Sequence, residues 1–402
     1  MKLFGVFWLG VLAAGAAAGQ TRVVSDAEVM RVHRSALLID THNDVPSRTV
    51  DGFDIGPRSP NGHTDVARLK EGGVGAQFFA VYVEAGYVNG NRSANRTLEM
   101  IDTVRQDILA KHPDDFILAT SARDIEEAHR RGKIAALLGI EGGHAIEDSL
   151  RLLRDYYALG VRYMTLTHSN TNNWADSSGD IADSAVKRHN GLTDFGRQVV
   201  REMNRLGMLV DISHVADKTF WDALEANRAP IFASHSSSRA LADAPRNMTD
   251  EMIVALAKKG GVVQINFNCG FISQRFRNAS AANDPKIRAA IERETGGKRL
   301  PFYQIDMLTA RLRNQMGLTR ASMAELVAHI EHIRKIAGID AIGIGSDFDG
   351  VNCVPEGLED VSRFPNLTRA LLEQGYSAED IRKIYGGNTL RLMRAVEAAA
   401  GK

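Results

Sequence analysis

Eight short aliphatic and β-branched runs, separated mostly by stretches with helical periodicity, limit what this chain can fold into more than any other feature. They cover 36–40, 75–82, 134–140, 163–167, 209–212, 231–234, 262–267 and 342–346. Strands of a parallel sheet whose faces are covered by helices read as near-continuous apolar runs of this kind. Helical patterns occupy 148–159, 192–206, 218–226 and 250–259, and Gly160, Gly207 and Gly260 stand where a left-handed residue closes the last turn of three of them. Eight alternations without an internal repeat or a linker predict an α/β chain closed into a (β/α)8 barrel, the TIM barrel. One domain over 20–402 is the economical division. The stretch 278–325 breaks the rhythm, being polar, charged and far longer than an ordinary connection. It is expected to form a helical excursion between the seventh and eighth strands, suited to a lid or to the contact of a homodimer. A helical tail follows, with one helix opening near Pro365, a second around 378–396, and Gly375 between them.

Lys and Arg together number 49, as do Asp and Glu. That balance leaves no basic footprint for nucleic acid and no polybasic anchor for anionic lipid, so a small polar substrate is the expected partner. The chain opens with Met1-Lys2, an apolar run over 3–18 and the small residues Ala16, Ala17 and Ala18. This is the charge, apolar stretch and small-residue site of a secretory signal peptide over 1–19, so an exported protein, periplasmic or secreted, is expected. No Cys follows the run and no hydrophobic tail closes the sequence, which predicts no stable membrane anchor. Two cysteines, Cys269 and Cys353, exclude a disulfide-rich scaffold and leave open either one bond or two buried thiols.

Histidines and acidic residues fall mostly just past the ends of the apolar runs. His42 and Asp44 follow the first, Glu141 and His144 the third, His168 the fourth, His214 the fifth, His235 the sixth, and Asp347 and Asp349 the eighth. In a (β/α)8 barrel those ends converge on one face, where active sites are built. Alternation along an extended chain points His42 and Asp44 to the same side. One histidine at a strand end is ordinarily a satisfied polar residue. Six of eight strand ends offering a nitrogen or oxygen ligand is hard to produce from packing needs. Imidazole and carboxylate without cysteine is the ligand set of a catalytic zinc or similar divalent site. Three histidines and two carboxylates suffice for two ions if one carboxylate bridges, and such a pair activates water and clamps the attacked oxygen.

The segments 38–44 (LIDTHND), 141–144 (EGGH), 163–170 (YMTLTHSN), 231–238 (IFASHSSS), Arg246-Asn247 and 345–350 (GSDFDG) resemble those of the renal or membrane dipeptidase family of zinc peptidases, in order from about Leu37 to Leu392. The resemblance implies a barrel of the metal-dependent hydrolase type and hydrolysis of dipeptides by a hydroxide bridging two Zn2+ ions. By that resemblance His42 and Asp44 bind the first zinc, His214 and His235 the second, and Glu141 bridges both. It likewise gives His168 the contact to the substrate carbonyl and its oxyanion, Arg246 the hold on the substrate carboxylate, and Asp347 the transfer of the water proton to the leaving amine. The family accepts a D-residue at the C-terminal position, and hydrolysis of β-lactams is known in it. Where animal members place a Tyr after the seventh strand, this chain has Phe271. It also lacks their hydrophobic C-terminal signal and so resembles the bacterial exported members.

Plainer roles stand beside these. Arg246, next to Pro245, reads on its own as a surface cation, His144 and His189 as supporting or surface residues, and Asp349 as a cap or turn residue. Asp40 is expected to orient a ligand histidine. The loop 172–176 with Trp174 is expected to line the cleft, with packing as the alternative. A different binuclear metal amidohydrolase, acting on another amide or lactam, is the competing reading. Those enzymes usually begin with His-x-His and often carry a bridging lysine after the fourth strand, where this chain has His42-x-Asp44 and His168. A barrel that binds without turnover is the third.

Overall fold

The structure, a computed structural model, describes residues 22–298 and 300–401, so the signal peptide expected over 1–19 lies outside the described residues. Among the described residues there are nine strands: β1 Leu38–Asn43, β2 Val74–Tyr82, β3 Phe116–Leu118, β4 Ile134–Glu141, β5 Val161–Thr165, β6 Leu209–Asp211, β7 Phe232–Ser236, β8 Val262–Ile265 and β9 Ile342–Ile344. All pairings between them are parallel, in the order β2-β1-β9-β8-β7-β6-β5-β4-β3, and β2 also pairs with β4 over 76–82 and 135–141. That last ladder closes eight strands into a (β/α)8 barrel. β3 hangs on β4 outside the circle. The eight barrel strands fall on the eight apolar runs, whereas the three residues of β3 carry too little pattern to separate them from a loop.

The barrel interior is filled by side chains rather than left as a pore. Tyr163 on β5 is fully buried beside Phe78 and Phe232, and a Cβ at Gly139 on β4 would lie 1.9 Å from its ring. Glycine at 139 is therefore the partner that lets a tyrosine stand inside the barrel. Around the sheet the helices Ala122–Arg130, Leu150–Ala158, Asp194–Leu206 and Asp250–Lys258 each open on a Ser or Thr whose oxygen accepts a backbone N–H of the first turn.

The excursion between β8 and β9 is helical, as expected, but begins earlier and runs longer, with helices Gln274–Thr295, Phe302–Gln315 and Met323–Ala337. Cys269 and Cys353 form a disulfide that joins the start of this excursion to the loop after β9. In the tail, helices Phe364–Glu373 and Ala378–Arg382 are separated by a left-handed Gly375, and a final helix spans Asn388–Ala399. Among the described residues no helix is long and apolar enough to cross a membrane.

Candidate metal centre

The C-terminal ends of six barrel strands bring His42, Asp44, Glu141, His168, His214, His235 and Asp347 to one place. Glu141, the last residue of β4, sits at its middle. Its Oε1 lies 3.1 Å from His214 Nε2, 3.2 Å from His235 Nε2, 3.5 Å from His42 Nε2 and 3.9 Å from His168 Nε2. His42 Nε2 is 3.2 Å from Asp44 Oδ2, and His214 Nε2 is 2.9 Å from His235 Nε2. Two ligands on one tetrahedral zinc lie roughly 3.4 Å apart, so these are separations at which an ion can be shared. Three overlapping groups of potential ligands result: His42, Glu141 and His235; Glu141, His168 and His214; and His42, Asp44 and Asp347. The pairs His42 with Asp44 and His214 with His235 flank Glu141, an arrangement compatible with two ions and one bridge.

Two of the imidazoles and the central carboxylate have the protonation that a cation requires, whereas His42, although burial opposes its charge, is held well above its ordinary value by Tyr163, Glu141 and Asp44, so that a cation there displaces a proton. His42 Nε2 is buried and makes no hydrogen bond. Burial holds the imidazoles of His214 and His235 well below their ordinary value, which keeps them neutral. Burial opposes ionisation of Glu141, yet the imidazoles of His42 and His168 and hydrogen bonds from His214 and His235 hold it well below the ordinary carboxylate range. Neutral imidazole with ionised carboxylate is the state that binds metal. Asp44 is pushed up to about 6 and Asp347 to about 7, first by burial, with Glu141 adding repulsion to both. A divalent cation relieves such crowding of negative charge.

A second layer fixes the ring orientations. His42 Nδ1 is 2.8 Å from the Tyr163 hydroxyl. His235 Nδ1 is 2.7 Å from Ser234 Oγ, which donates to Asp211 Oδ2 at 2.6 Å. Since that hydroxyl hydrogen is committed to Asp211, His235 donates from Nδ1 and presents a bare Nε2 to the centre. Asp211 also accepts the backbone N–H groups of Ser213 and Ser234 at 3.0 and 2.8 Å. Neither Tyr163 nor Asp211 was singled out from the sequence. The available signal was a polar group inside an apolar strand, which must find a partner. Asp40, expected to orient a ligand ring, instead accepts from Ser346 N–H and Ser346 Oγ at 2.8 and 2.6 Å and ties β1 to β9. Close approach dictates one residue of the 345–350 segment: a Cβ at Gly350 would stand 2.2 Å from Asp44 Oδ2 and 2.7 Å from Asp347 Oδ1.

Arg246 is half-buried, but its guanidinium is turned away from solvent rather than out to the surface, and its Nε, Nη1 and Nη2 make no hydrogen bond. Its guanidinium lies 4.5 Å above the Phe271 ring, so phenylalanine here supplies a face rather than a hydroxyl. A guanidinium with all three nitrogens free of hydrogen bonds has the donors to bind a carboxylate through two parallel bonds. Asp347 Oδ2 accepts from Asn266 Nδ2 at 2.8 Å, and the Tyr82 ring packs edge-on to His168 at 4.8 Å.

The remaining candidates are structural. His144 Nε2 donates to the Val83 carbonyl at 3.0 Å, and His189 Nε2 to that of Asn172 at 2.9 Å. Asp349 is a turn residue, as expected, with a φ of +64°, and its carboxylate also takes Arg48 Nη1 at 3.2 Å and the His63 N–H at 2.9 Å. Trp174 does not line the cleft. It is fully buried against Phe195, and its ring fills the space left by Gly143.

Residues 26–402 match the family described as membrane dipeptidase (peptidase family M19). Among solved structures the chain resembles the probable dipeptidase PvdM from Pseudomonas aeruginosa, at 26% identity and TM-score 0.77 over 93% of this chain and 98% of that one. A metallo peptidase from Rhodobacter sphaeroides, liganded with a phosphinate mimic of the dipeptide L-Ala-D-Ala, shares 24% identity and a TM-score of 0.72 over 90% and 99% of the two chains. An amidohydrolase from Pseudomonas aeruginosa shares 24% identity and a TM-score of 0.69 over 92% and 98%. The last two likenesses speak for the fold alone.

Proposed function

The chain belongs to the membrane dipeptidase family, peptidase family M19, and is a metal-dependent dipeptidase, and from that premise we propose that it works with two zinc ions, held by His42 and Asp44 on one side, His214 and His235 on the other, and Glu141 between. The observation that carries this reading is Glu141 Oε1 within 3.5 Å of three imidazole nitrogens delivered by two strands and the loop after β6, one of them a buried nitrogen without a hydrogen bond. Such ions would supply an activated water and would draw charge from the scissile carbonyl.

The protein's own groups do the rest. Arg246 binds the substrate carboxylate through its unpaired fork and sets the register of the peptide bond. His168, set over Glu141 and braced by Tyr82, donates to the carbonyl oxygen as it becomes an oxyanion. Asp347 takes the proton of the attacking water at a carboxylate oxygen, held in place by Asn266. As the C–N bond breaks, that proton passes to the leaving nitrogen, which departs as a free amine. A carboxyl near 7 is suited to both transfers. Dipeptides with a D-residue at the C-terminal position belong to the proposed substrates. The Cys269–Cys353 bond supports the further proposal of an exported, oxidising location.

The test is metal content per chain together with hydrolysis of L-Ala-L-Ala and L-Ala-D-Ala, in the wild type and in Glu141→Ala. Close to two zincs in the wild type, with metal and cleavage both lost in the variant, is the expected result. Full zinc occupancy in Glu141→Ala would sink the bridging assignment.

A further inference from the structure

Beside the candidate metal centre lies a cavity of about 570 Å3 that none of its ligands lines. It is walled by Arg48 and His63 from the β1–β2 connection, Asp349 and Asn352 from the loop after β9, and Asp306 from the insertion helix Phe302–Gln315. Two of these residues are carboxylates with an unmet oxygen: Asp349 Oδ2 and Asp306 Oδ2 are buried and make no hydrogen bond.

Asp349 has its charge answered by the Arg48 guanidinium. Asp306 does not. It is 8% exposed, and its Oδ1 accepts from Asn352 Nδ2 at 2.8 Å. The Asn352 side chain is held in turn by Arg313 Nη1, whose Nη2 reaches Ser280 Oγ at 2.8 Å on the neighbouring helix. The carboxylate is thus clamped at one oxygen by a chain of side chains, while the other oxygen is left for something else. Burial pushes this carboxyl up to about 7 against the pull of Asn352 and Arg313, and Asp347 adds repulsion.

Asp347 also feels the charge of Arg246. The group that serves the scissile amide shares its loop with the cavity-lining Asp349 and Asn352, and is within electrostatic reach of a guanidinium and a carboxylate that each lack a salt bridge. A dipeptide carries a carboxylate and an ammonium on either side of its one amide, the complement of that pattern. We infer that Asp306 receives the free ammonium group of the substrate's amino-terminal residue, and that the cavity beside it houses that residue. The inference rests on the dipeptidase reading and adds the reason for exclusion of longer peptides, whose amino terminus would fall beyond Asp306.

The experiment compares wild type and Asp306→Asn, both loaded with zinc, on L-Ala-L-Ala and on N-propionyl-L-alanine, the same molecule without its amine. The amide keeps the acceptor for Asn352 and removes only charge. The expected result is a fall in kcat/KM of about 10- to 100-fold on the dipeptide, the worth of a charge-assisted hydrogen bond, with no change on the propionyl compound. Equal loss on both substrates, or none on the dipeptide, would overturn the inference while leaving the dipeptidase reading intact. A wild-type protein that cleaves no dipeptide would overturn both.

Discussion

Tyr163→Phe removes one oxygen from a fully buried ring and leaves its packing against Phe78 and Phe232 in place. What it takes away is the partner of His42 Nδ1, 2.8 Å distant. A buried N–H left unmatched costs about 1–3 kcal/mol. In the metal-free variant the imidazole escapes that cost by carrying its proton on Nε2, toward Asp44 Oδ2 at 3.2 Å. The atom that faces Glu141 then bears a hydrogen instead of a lone pair. Binding zinc requires the ring to return to the other tautomer, so the whole cost falls on metal affinity. One to three kcal/mol corresponds to roughly 5- to 150-fold, which brackets the 10- to 100-fold typical for loss of such a supporting partner. The assay is competition for zinc with a chromophoric chelator, alongside thermal melting of the metal-free protein. A dissociation constant raised by that factor, with little change in melting, is expected. An unchanged zinc affinity would refute the reasoning, because His42 would then either have its tautomer set elsewhere or not be a ligand.

Arg246→Met removes an unpaired buried cation, whose desolvation costs several kcal/mol, so the substrate-free protein should melt higher while kcat/KM on dipeptides falls by about 100-fold or more; lower stability together with lower activity would make Arg246 a structural residue instead. His329 accepts the Ser238 N–H at Nδ1 and donates to the Ile272 carbonyl at Nε2, both at 3.1 Å, and burial lowers it to about 4. Between about 4 and the 6.5 of the unfolded chain, the unfolded state binds a proton that the folded state refuses, so stability rises with pH across that window and is lost as pH falls through it. Two to three units at 1.36 kcal/mol each come to about 3 kcal/mol. His329→Gln, which can make both bonds without titrating, should flatten that part of the urea-midpoint profile; parallel profiles for the two proteins would count against the assignment.

The barrel strands were legible in the sequence because they are buried on both faces and so cannot avoid continuous apolar runs. The candidate centre was legible for a related reason. His42 and Asp347 are 305 positions apart, yet parallel strands deliver their C-terminal ends to one face, so position relative to a run suffices to group them. What stayed hidden depends on which residue faces which across the barrel. Tyr163 matters because Gly139 makes room for its ring and His42 stands above it. Asp211 matters because two neighbouring segments turn their N–H groups toward it. Trp174 packs instead of lining the cleft because a glycine thirty-one positions earlier opens the space that buries it, which the sequence left undecided. Asp306 sits on an insertion helix, and how that helix docks beside the mouth is a tertiary fact with no local signature.

Two of the converging side chains, on His214 and Asp347, hang from backbone in the left-handed region, with φ of +65° at each. A residue with a Cβ pays roughly 1–2 kcal/mol there, and glycine or asparagine would relieve it. Any programme that improves this chain by favouring locally preferred residues would choose these two positions early. It would return a sturdier barrel that has lost the proposed ligand at one of them and the proposed proton carrier at the other. The same dihedral that lowers the melting point thus marks, without any alignment, two places where the fold has yielded to chemistry.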